Sequence, residues 1–327
     1  MIIHRPLEEL PVFRNAIITI GTFDGVHTGH QQIIRQLREE ALRANGESLI
    51  ISFHPHPRKI VGKSGEDIKL INTPEEKIEL LSAFGIDHLV IVPFTEAFSQ
   101  LTAEQYIRDF LFEKFHPHTV IIGYDHRFGK GRLGDYHLLE EGRNLYGYKL
   151  KEIPVHLLSE ISVSSTRIRE SIMLGDVETA NQLLGYTYFF NGLVTEGNKL
   201  GRTIGFPTAN LKIDDWEKIL PGQGVYAVDA EFMTDPGKQL SGVKLAGMMN
   251  IGKRPTINND DSQITIEVNL FNFDESIYGR TIRVFVKKYL RAEQKFNGLQ
   301  ELKEQLARDK AAAILVPQSN APSIEAS

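Results

Sequence analysis

Two histidines lie three residues apart in a glycine-rich segment near the beginning of the chain. His27 and His30 belong to IITIGTFDGVHTGHQQII, in which an apolar run leads into a helical pattern. A helix N-terminus presents free N–H groups and a partial positive charge, so it favours phosphate. Neighbouring imidazoles can donate hydrogen bonds to phosphoryl oxygens as negative charge develops. The segment therefore predicts a phosphate site, although an isolated H-x-G-H would equally fit a glycine-rich turn with surface histidines.

Two later segments carry side chains that suit nucleotides. GYDHRFGKGRLGD follows the fourth apolar run and combines charged residues with aromatic ones. Ligands bind at the carboxyl ends of parallel strands, so we expect this loop to face the His27 loop. SVSSTRIRE, around Ser164, places hydroxyls and arginines at the start of a helix, which suits polyphosphate. Taken alone, this last segment is more typical of an ordinary capped surface helix.

A second candidate site lies in the other half of the chain. EGNKLGRTIGFPTANL combines three spaced glycines with Lys199 and Arg202 and ends in Thr208 and Asn210. Glycines let a loop wrap phosphates with its backbone N–H groups, and a hydroxyl beside an amide can hold a hydrated Mg²⁺. A plain barrel turn is the alternative interpretation. Glu267 lies in ITIEVNLF, an alternating strand pattern in which it could simply face solvent.

Two other motifs are set aside. Gly62-Lys63-Ser64 looks like the end of a phosphate-binding P-loop, but the glycine required five positions earlier is Pro57. His54 and His56 could ligate a metal, but no third ligand is evident nearby and prolines flank them. We expect a shaped loop there that lines the first site.

Short apolar runs alternate with amphipathic helical segments up to about Gly185, which is typical of a parallel sheet with crossover helices. Thr102 with Gln105 predicts a capping box. One helical stripe comprises Ile33, Ile34, Leu37, Ala41 and Leu42. The predicted strands of this half run from Ala16 to Ile20, Leu49 to Phe53, Leu89 to Val92 and Thr119 to Ile122.

From about Tyr186 the pattern changes to closely spaced strands separated by turns, which is typical of a small antiparallel barrel or sandwich. A helix is predicted from about Leu299 to Ala313, and the polar end of the chain is expected to be disordered. The predicted strands run from Phe190 to Val194, Val225 to Phe232, Leu245 to Asn250, Ile264 to Phe271 and Thr281 to Val286. The expected domains are therefore 1–185 and 186–312, followed by a tail over 313–327.

Composition excludes several classes of protein. The 327 residues suggest about two domains, and 41% hydrophobic residues with 24% charged ones are ordinary for a globular protein. A net charge of −5 disfavours non-specific nucleic-acid binding. The absence of cysteine excludes disulfides and thiolate sites and fits the cytoplasm. The charged first residues and the lack of a long apolar run predict neither export nor membrane insertion.

The segments around His27, Asp125 and Ser164 together resemble the flavin adenylyltransferase module of bacterial riboflavin kinase/FAD synthetases, within the H-x-G-H nucleotidyltransferase superfamily. GRTIGFPTAN, GVYAV, MNIGKRPTI, IEVNLF and YLRAEQKF, in this order, resemble riboflavin kinase domains from Tyr186 to Asp309. The resemblance implies an α/β, Rossmann-like nucleotidyltransferase domain followed by a small antiparallel β-barrel kinase domain. It also implies two reactions, phosphorylation of riboflavin to FMN and adenylylation of FMN to FAD with release of pyrophosphate.

The resemblance further implies roles for individual residues, with ATP as co-substrate and Mg²⁺, or alternatively Mn²⁺, as the metal. His27 and His30 would act on ATP phosphates, Glu267 would activate the ribityl hydroxyl, and Thr208 and Asn210 would hold the metal. The remaining phosphate contacts of the first half would be Gly21, Thr22, Phe23, Asp24, Gly25, Ser164, Ser165, Thr166 and Arg167. Flavin or nucleotide there would contact Asp125, Arg127, Phe128, Arg132 and Asp135. In the second half, ATP would contact Gly197, Lys199, Gly201, Arg202, Gly205, Phe206, Pro207, Thr208 and Asn210, and flavin would contact Arg291 and Phe296.

The chain departs from the family pattern at four positions, namely Thr22, His126, Asn269 and Asn272. One competing hypothesis is a nucleotidyltransferase for another phosphate ester, such as a pantetheine or nicotinamide precursor, but the kinase-like half argues against it. Another is a flavin- or nucleotide-binding regulator without turnover, against which Glu267 and His30 argue. The expected partners are riboflavin, FMN and ATP, without nucleic acid or membrane, and the oligomeric state is left open.

Overall fold

The computed structural model describes residues 1–62, 68–123, 126–153, 164–197, 201, 204–235, 239–254 and 263–319. These residues form two units, one from Met1 to Ser165 and one that begins at Thr166. Within the described ranges, no helix has both the length and the apolar character needed to cross a bilayer. Lys63 and Ser64 of the rejected P-loop motif lie outside these ranges.

A six-stranded parallel sheet organises the first unit. Its strands are β1 (Ile2–His4), β2 (Ile17–Ile20), β3 (Ser48–His54), β4 (His88–Pro93), β5 (Thr119–Gly123) and β6 (Lys149–Ile153). Their order across the sheet is β1-β4-β3-β2-β5-β6, and every neighbouring pair is parallel. The strand order reverses between β2 and β5, and such a switch point is where open α/β sheets bind ligands.

Helices connect these strands. They are α1 (Thr28–Arg43), α2 (Pro57–Val61), α3 (Pro74–Ala83), α4 (Glu96–Ser99), α5 (Ala103–Gln105), α6 (Glu113–Phe115) and α7 (Tyr136–Tyr146). A π-helical stretch, Tyr106–Phe112, joins α5 to α6, and short 3₁₀ helices cover Leu7–Glu9 and Lys130–Arg132. Both halves of the predicted Thr102 capping box are present, and Thr73 forms a second box with Glu76 at the start of α3.

The predicted stripe on α1 is largely confirmed. Ile34, Leu37 and Ala41 are buried, whereas Leu42 is 81% exposed. Each residue of an α-helix is turned by about 100° from the preceding one, so Leu42 points away from the sheet although Ala41 faces it.

The second unit contains a closed antiparallel barrel. Helices α8 (Ser165–Leu174) and α9 (Val177–Leu184) precede it, and α10 (Leu299–Ile314) follows it. Its strands are β7 (Phe189–Thr195), β8 (Ala209–Lys212), β9 (Gly224–Asp235), β10 (Gln239–Arg254), β11 (Gln263–Leu270) and β12 (Thr281–Arg291), in the order β10-β11-β8-β7-β12-β9. Closure leaves no free sheet edge, so the second half is a barrel and not a sandwich. Leu306 and Ala313 of α10 pack against Ala227 and Met248 of the barrel.

Candidate active sites

His27 and His30 form one stacked unit at the start of α1. His27 is the N-cap residue, and its Nδ1 accepts a hydrogen bond from the backbone N–H of His30 at 3.3 Å. The two rings stack with centroids 3.7 Å apart, and the Phe23 ring lies 4.8 Å from that of His30. Because Nδ1 of His27 accepts, a neutral His27 ring carries its proton on Nε2. The helix start thus places two oriented imidazoles beside the backbone N–H groups of the first turn.

His30 is held in the neutral form. Burial lowers its pKa well below the ordinary histidine value, and the positive charges of His27 and Lys77 lower it further. Its Nδ1 is buried and has no hydrogen-bond partner among the residues that the structure describes. A buried polar atom without a partner is unfavourable unless a ligand or water satisfies it. His30 therefore offers a ring nitrogen to a bound molecule.

The predicted phosphate turn, residues 21–26, is tightly braced. Phe23, Gly25 and Val26 have positive φ values of 49°, 90° and 37°, which carry the chain sharply from β2 into α1. The carboxylate of Asp24 is buried and accepts hydrogen bonds from the backbone N–H groups of Ile71 and Asn72, at 3.0 and 3.2 Å. Asp24 therefore links the turn to the segment that leads into α3.

The remaining phosphate residues that were predicted for the first half of the chain follow β2 or lie at the start of α8, where Thr166 and Arg167 already belong to the second unit. Ser165 donates a hydrogen bond from Oγ to the Asp24 carbonyl at 2.9 Å, so it adjoins the phosphate turn. Ser164, Thr166 and Arg167 are exposed at the start of α8. Gly21 and Thr22 follow β2 directly, and Gly21 donates its N–H to the Ile51 carbonyl.

The loop after β5 is ordered by its own charges. Arg127 donates to Asp135 at 2.9 Å, and Asp135 also accepts the Leu138 N–H as the N-cap of α7. The Leu138 N–H, and secondly Arg127, lower the pKa of Asp135. Arg132 is exposed on the 3₁₀ turn, and Asp125 lies outside the described residues. Arg127 and Asp135 therefore shape the loop in addition to any ligand contact.

Aromatic rings gather at the same edge of the sheet. Phe128 is buried, with its ring 4.9 Å from Tyr106, and His126 stacks on it at 5.8 Å. Phe53 at the end of β3 and Phe98 after β4 are partly exposed, with ring centroids 5.7 Å apart. These rings form an apolar wall beside the turn, and His126 contributes an aromatic face to it. The wall was only partly predicted, because Phe53 and Phe98 belong to segments without a chemical motif.

A cavity of about 270 Å³ lies where the barrel, the glycine-rich loop and α10 meet. Seven predicted residues line it: Gly201, Phe206, Thr208, Asn210, Glu267, Arg291 and Phe296. Register explains why several of them meet. Glu267 is the cross-strand partner of Asn210 on β8 and of Asn250 on β10. Asn250 in turn pairs with Val225, and Val225 with Arg291. Directly paired residues share one face of a sheet, so this row brings the amides, the carboxylate and the guanidinium to one wall.

Gly197 of the glycine-rich loop packs closely against the side chain of Asn210. A Cβ at Gly197 would overlap the Asn210 side-chain amide, so only glycine allows this approach. Phe206 donates its N–H to the Gly201 carbonyl at 2.8 Å, and the Asn269 amide donates to the Pro207 carbonyl at 2.6 Å. Asn269, a departure from the family pattern, thus supports the loop. Asn272 has φ 55° in the turn after β11, a conformation that asparagine tolerates well. Gly205 is exposed in this loop, while Lys199 and Arg202 lie outside the described residues.

Several residues that line the cavity were not predicted from the sequence. They include Ile204, Met248, Met249, Asn250, Glu293, Gln294, Leu302 and Leu306. The apolar residues of α10 and β10 carry no chemical signal, and only the packing of α10 on the barrel places them there. Asn250 donates from Nδ2 to the Glu293 carboxylate at 3.0 Å. The cavity therefore combines the polar row with apolar side chains from β10 and α10.

The polar row suits a hard cation. Thr208, Asn210 and Glu267 offer hydroxyl, amide and carboxylate oxygens, the ligand types that Mg²⁺ prefers when phosphates and waters complete its shell. No group of three histidine, aspartate or glutamate side chains with metal-binding spacing occurs among the residues that the structure describes. The donors therefore fit a cation that is delivered with phosphate better than a permanently held one.

Comparisons with known proteins match both halves of the chain. A family model described as FAD synthetase matches residues 10–167, and one described as riboflavin kinase matches residues 184–316. A bifunctional riboflavin kinase/FMN adenylyltransferase from Bacillus subtilis is 38% identical over 302 residues, covering 91% of this chain and 92% of that protein. The protein of the same name from Escherichia coli is 35% identical over 297 residues, covering 91% of each chain.

A crystal structure described as a macrolide-efflux protein from Streptococcus pneumoniae has a TM-score of 0.85 and 28% sequence identity, covering 97% of this chain and 100% of that one. Its similarity extends over both units. With the two family models and relatives above 30% identity along nearly the whole chain, the protein belongs to the family of bifunctional riboflavin kinases/FMN adenylyltransferases.

Proposed function

We propose that the barrel cavity phosphorylates riboflavin to FMN and that the His27–His30 site adenylylates FMN to FAD, each step using ATP. The observation that carries the kinase assignment is the row in which Glu267 lies between Asn210 and Asn250 at the cavity wall. The family membership supports both activities. Because both steps consume ATP, we place the enzyme in the cytoplasm.

In the kinase step, Glu267 accepts the proton of the ribityl 5′-hydroxyl while that oxygen attacks the γ-phosphate of ATP. The new O–P bond forms as the bond to the ADP oxygen breaks. Backbone N–H groups of the glycine-rich loop stabilise the transferring charge. The apolar side chains of Met248, Leu302 and Phe296, which line the cavity, suit the flat ring system of a flavin.

Thr208 and Asn210 would hold Mg²⁺, with Mn²⁺ as an alternative. When bound, the cation neutralises phosphate charge and orients the γ-phosphoryl group. Arg291 is fixed by Asp309 through Nε at 3.0 Å and a second guanidinium nitrogen at 2.7 Å. The Phe296 ring lies 5.8 Å from the guanidinium carbon. This fixed pair gives the flavin end of the cavity a rigid boundary.

In the adenylylation step, a phosphate oxygen of FMN attacks the α-phosphate of ATP, and the bond to pyrophosphate breaks. The FMN phosphate is already ionised at neutral pH, so no strong base is required. Catalysis rests on positioning and on charge stabilisation by His27, His30 and the N-terminus of α1. Residues 21–25 and 164–167 would bind the ATP phosphates. Arg127, Phe128, Arg132 and Asp135 would contact flavin or nucleotide, next to the aromatic wall of Phe53 and Phe98.

The two assignments predict complementary losses. Glu267→Gln should lower FMN formation from riboflavin by roughly 10²–10⁴-fold, while FAD formation from supplied FMN is unchanged. The double variant His27→Ala/His30→Ala should still make FMN and should accumulate it without FAD. Both variants are assayed separately with riboflavin and with FMN, after circular dichroism has shown that they fold. Equal loss of both activities in either folded variant would contradict separate sites.

A further inference from the structure

Lys77 lies buried beneath the phosphate turn. It belongs to α3, and its residue surface is only 9% exposed. Its Nζ donates hydrogen bonds to the Thr22 carbonyl at 3.2 Å and to the Ser52 hydroxyl at 3.0 Å. Ser52 donates its own proton to the same Thr22 carbonyl at 3.1 Å. The Thr22 carbonyl thus accepts hydrogen bonds from one side chain of α3 and one side chain of β3.

A buried lysine is unusual in a folded protein and points to a specific role. Removing an ammonium ion from water is unfavourable by several kcal/mol, and burial indeed lowers the pKa of Lys77. The carboxylate of Asp24 in the same turn opposes this shift and favours the charged form. Thr22, Asp24 and Lys77 also line one small pocket with His54, His56 and Asn72. If Lys77 supported the turn by packing alone, an apolar side chain could take its place, since well-packed apolar replacements of buried charges are often neutral or stabilising.

We propose that Lys77 is a positioning residue for adenylyl transfer: its ammonium group fixes the glycine-rich turn through Thr22 and Ser52 and places a positive charge next to the phosphate turn. The inference rests on the proposed adenylyl transfer at this site. Lys77 does not touch the reacting atoms. It acts through the turn, whose shape sets where the helix N–H groups and the two imidazoles meet the phosphates.

His30 gives this role a second, independent readout. The charge of Lys77 is one of the influences that lower the pKa of His30, and His30 presents a buried ring nitrogen without a partner in the described part of the chain. Removing the charge should therefore raise the pKa of His30. A residue that only filled space would leave that titration unchanged when replaced by a side chain of similar volume.

The test compares Lys77→Met, which removes the charge but keeps the volume, with Lys77→Arg and Ser52→Ala. Conversion of FMN to FAD is measured between about pH 5 and 9, and His30 is titrated by NMR; riboflavin phosphorylation serves as the internal control. We expect Lys77→Met to lower kcat/KM for FAD formation on the order of 10²-fold, because small misplacements in an active site have effects of this size. The His30 titration should move to higher pH in Lys77→Met and stay in place in Lys77→Arg and Ser52→Ala. Riboflavin phosphorylation should be unchanged in all three.

Two results would overturn the inference. One is a folded Lys77→Met that makes FAD at the wild-type rate. The other is an equal loss in Lys77→Met and Ser52→Ala with an unmoved His30 titration, which would assign Lys77 to packing alone. If Lys77→Met does not fold, Lys77→Gln, which keeps a donor without the charge, takes its place with the same expectations. Failure of the wild-type chain to convert FMN to FAD would instead overturn the proposed function, and this inference with it.

Discussion

Arg291 and Asp309 form a two-pronged ion pair at the edge of the kinase cavity. Asp309 is 4% exposed and also accepts a hydrogen bond from Gln305 at 2.8 Å. Asp309→Ala would leave the guanidinium partly buried without its counter-charge. We expect a loss of about 3 kcal/mol in the free energy of unfolding, the lower end for a broken buried pair because the Arg291 side chain is 18% exposed. Riboflavin KM should rise, since Arg291 lines the cavity.

Urea unfolding and kinase kinetics would check this prediction. Glu304→Ala is the matched control, because Glu304 lies on the same helix, is exposed, and bonds only to Gln300 among the hydrogen bonds described for it. It should change neither quantity. A decrease of less than about 1 kcal/mol in the free energy of unfolding of Asp309→Ala would contradict the prediction. It would mean that water solvates the Arg291 guanidinium nearly as well as the Asp309 carboxylate does.

A histidine pair makes the first unit sensitive to acid. Nε2 of His4 and Nδ1 of His88 lie 3.0 Å apart, so one nitrogen must donate and the other accept. Burial lowers the pKa of both histidines, although Glu47 and Asp87 partly oppose the shift at His88. Folded values below the unfolded value, about 6.5, mean that the pair's stabilisation is complete above that pH. It is lost as the pH falls from there through the folded values.

Thermal unfolding between pH 5 and 8 would measure this effect. His4→Gln should flatten the decline of Tm at acid pH by removing one of the two groups, while His30 continues to contribute part of the slope. A decline as steep as in the wild type would contradict the assignment. His116, which is exposed, provides the control substitution His116→Gln, for which no change of slope is expected.

Single residues also show where sequence reasoning reaches its limit. His27 and His30 were recognisable because two imidazoles in a glycine-rich turn are unusual. Lys77 was not, because PEEKIELL has the charges of an ordinary exposed helix and only the packing of α3 under the turn buries this lysine. Glu267 alternates with buried residues in its strand. Strand register, which the pattern does not specify, places it opposite Asn210.

At the scale of elements, buried charges attach the segment that follows α10 to the barrel. Asp229 pairs with Lys287 at 2.8 Å and accepts the backbone N–H of Ser319 at 2.6 Å. Lys244 donates to the Ser319 carbonyl at 2.9 Å. The side chains of Asp229 and Lys287 are 1% and 5% exposed. Residues 316–319 therefore form a strap that follows α10, and α10 contributes Leu302 and Leu306 to the cavity.

Asp229→Ala should detach this strap from the barrel. It should also leave the buried Lys287 ammonium without its carboxylate partner, so we expect the free energy of unfolding to fall by about 3–5 kcal/mol. Urea denaturation would measure the loss, and the kinase KM for riboflavin should rise as α10 loosens. Lys212→Ala breaks the exposed Lys212–Asp214 pair on the same barrel, so it should change the free energy by less than about 1 kcal/mol. Similar effects of the two substitutions would show that the strap does not stabilise the unit.

The elements themselves were predicted unevenly. Long apolar runs marked β2 to β5 because both faces of these strands are buried, and the capping box marked α5. Three strands escaped prediction, namely β1, β6 and β8. β1 has three residues, and β6 is an edge strand whose polar residues are exposed. β8 has four residues directly after a loop. Such strands are defined by their hydrogen-bonded neighbours and not by their own pattern.

At the scale of the whole molecule, each unit carries a candidate site of its own. The first unit presents a helix N-terminus with two imidazoles at a sheet switch point, and the second has a cavity with a carboxylate between amides. The product of the proposed kinase reaction is the substrate of the proposed adenylyl transfer. The two fold classes were predictable because the periodicity changes near residue 186, whereas barrel closure depends on pairing between strands far apart in sequence.

The most direct measurement is a time course with the purified full chain, riboflavin, ATP and Mg²⁺, in which riboflavin, FMN and FAD are separated and quantified. We predict that FMN appears first and that FAD follows after a lag, with two ATP molecules consumed for each FAD. FMN without FAD would contradict the assignment of the His27–His30 site, where Thr22 and His126 would be examined first. Tight flavin binding without turnover of either kind would contradict both assignments and would favour a flavin-binding regulator.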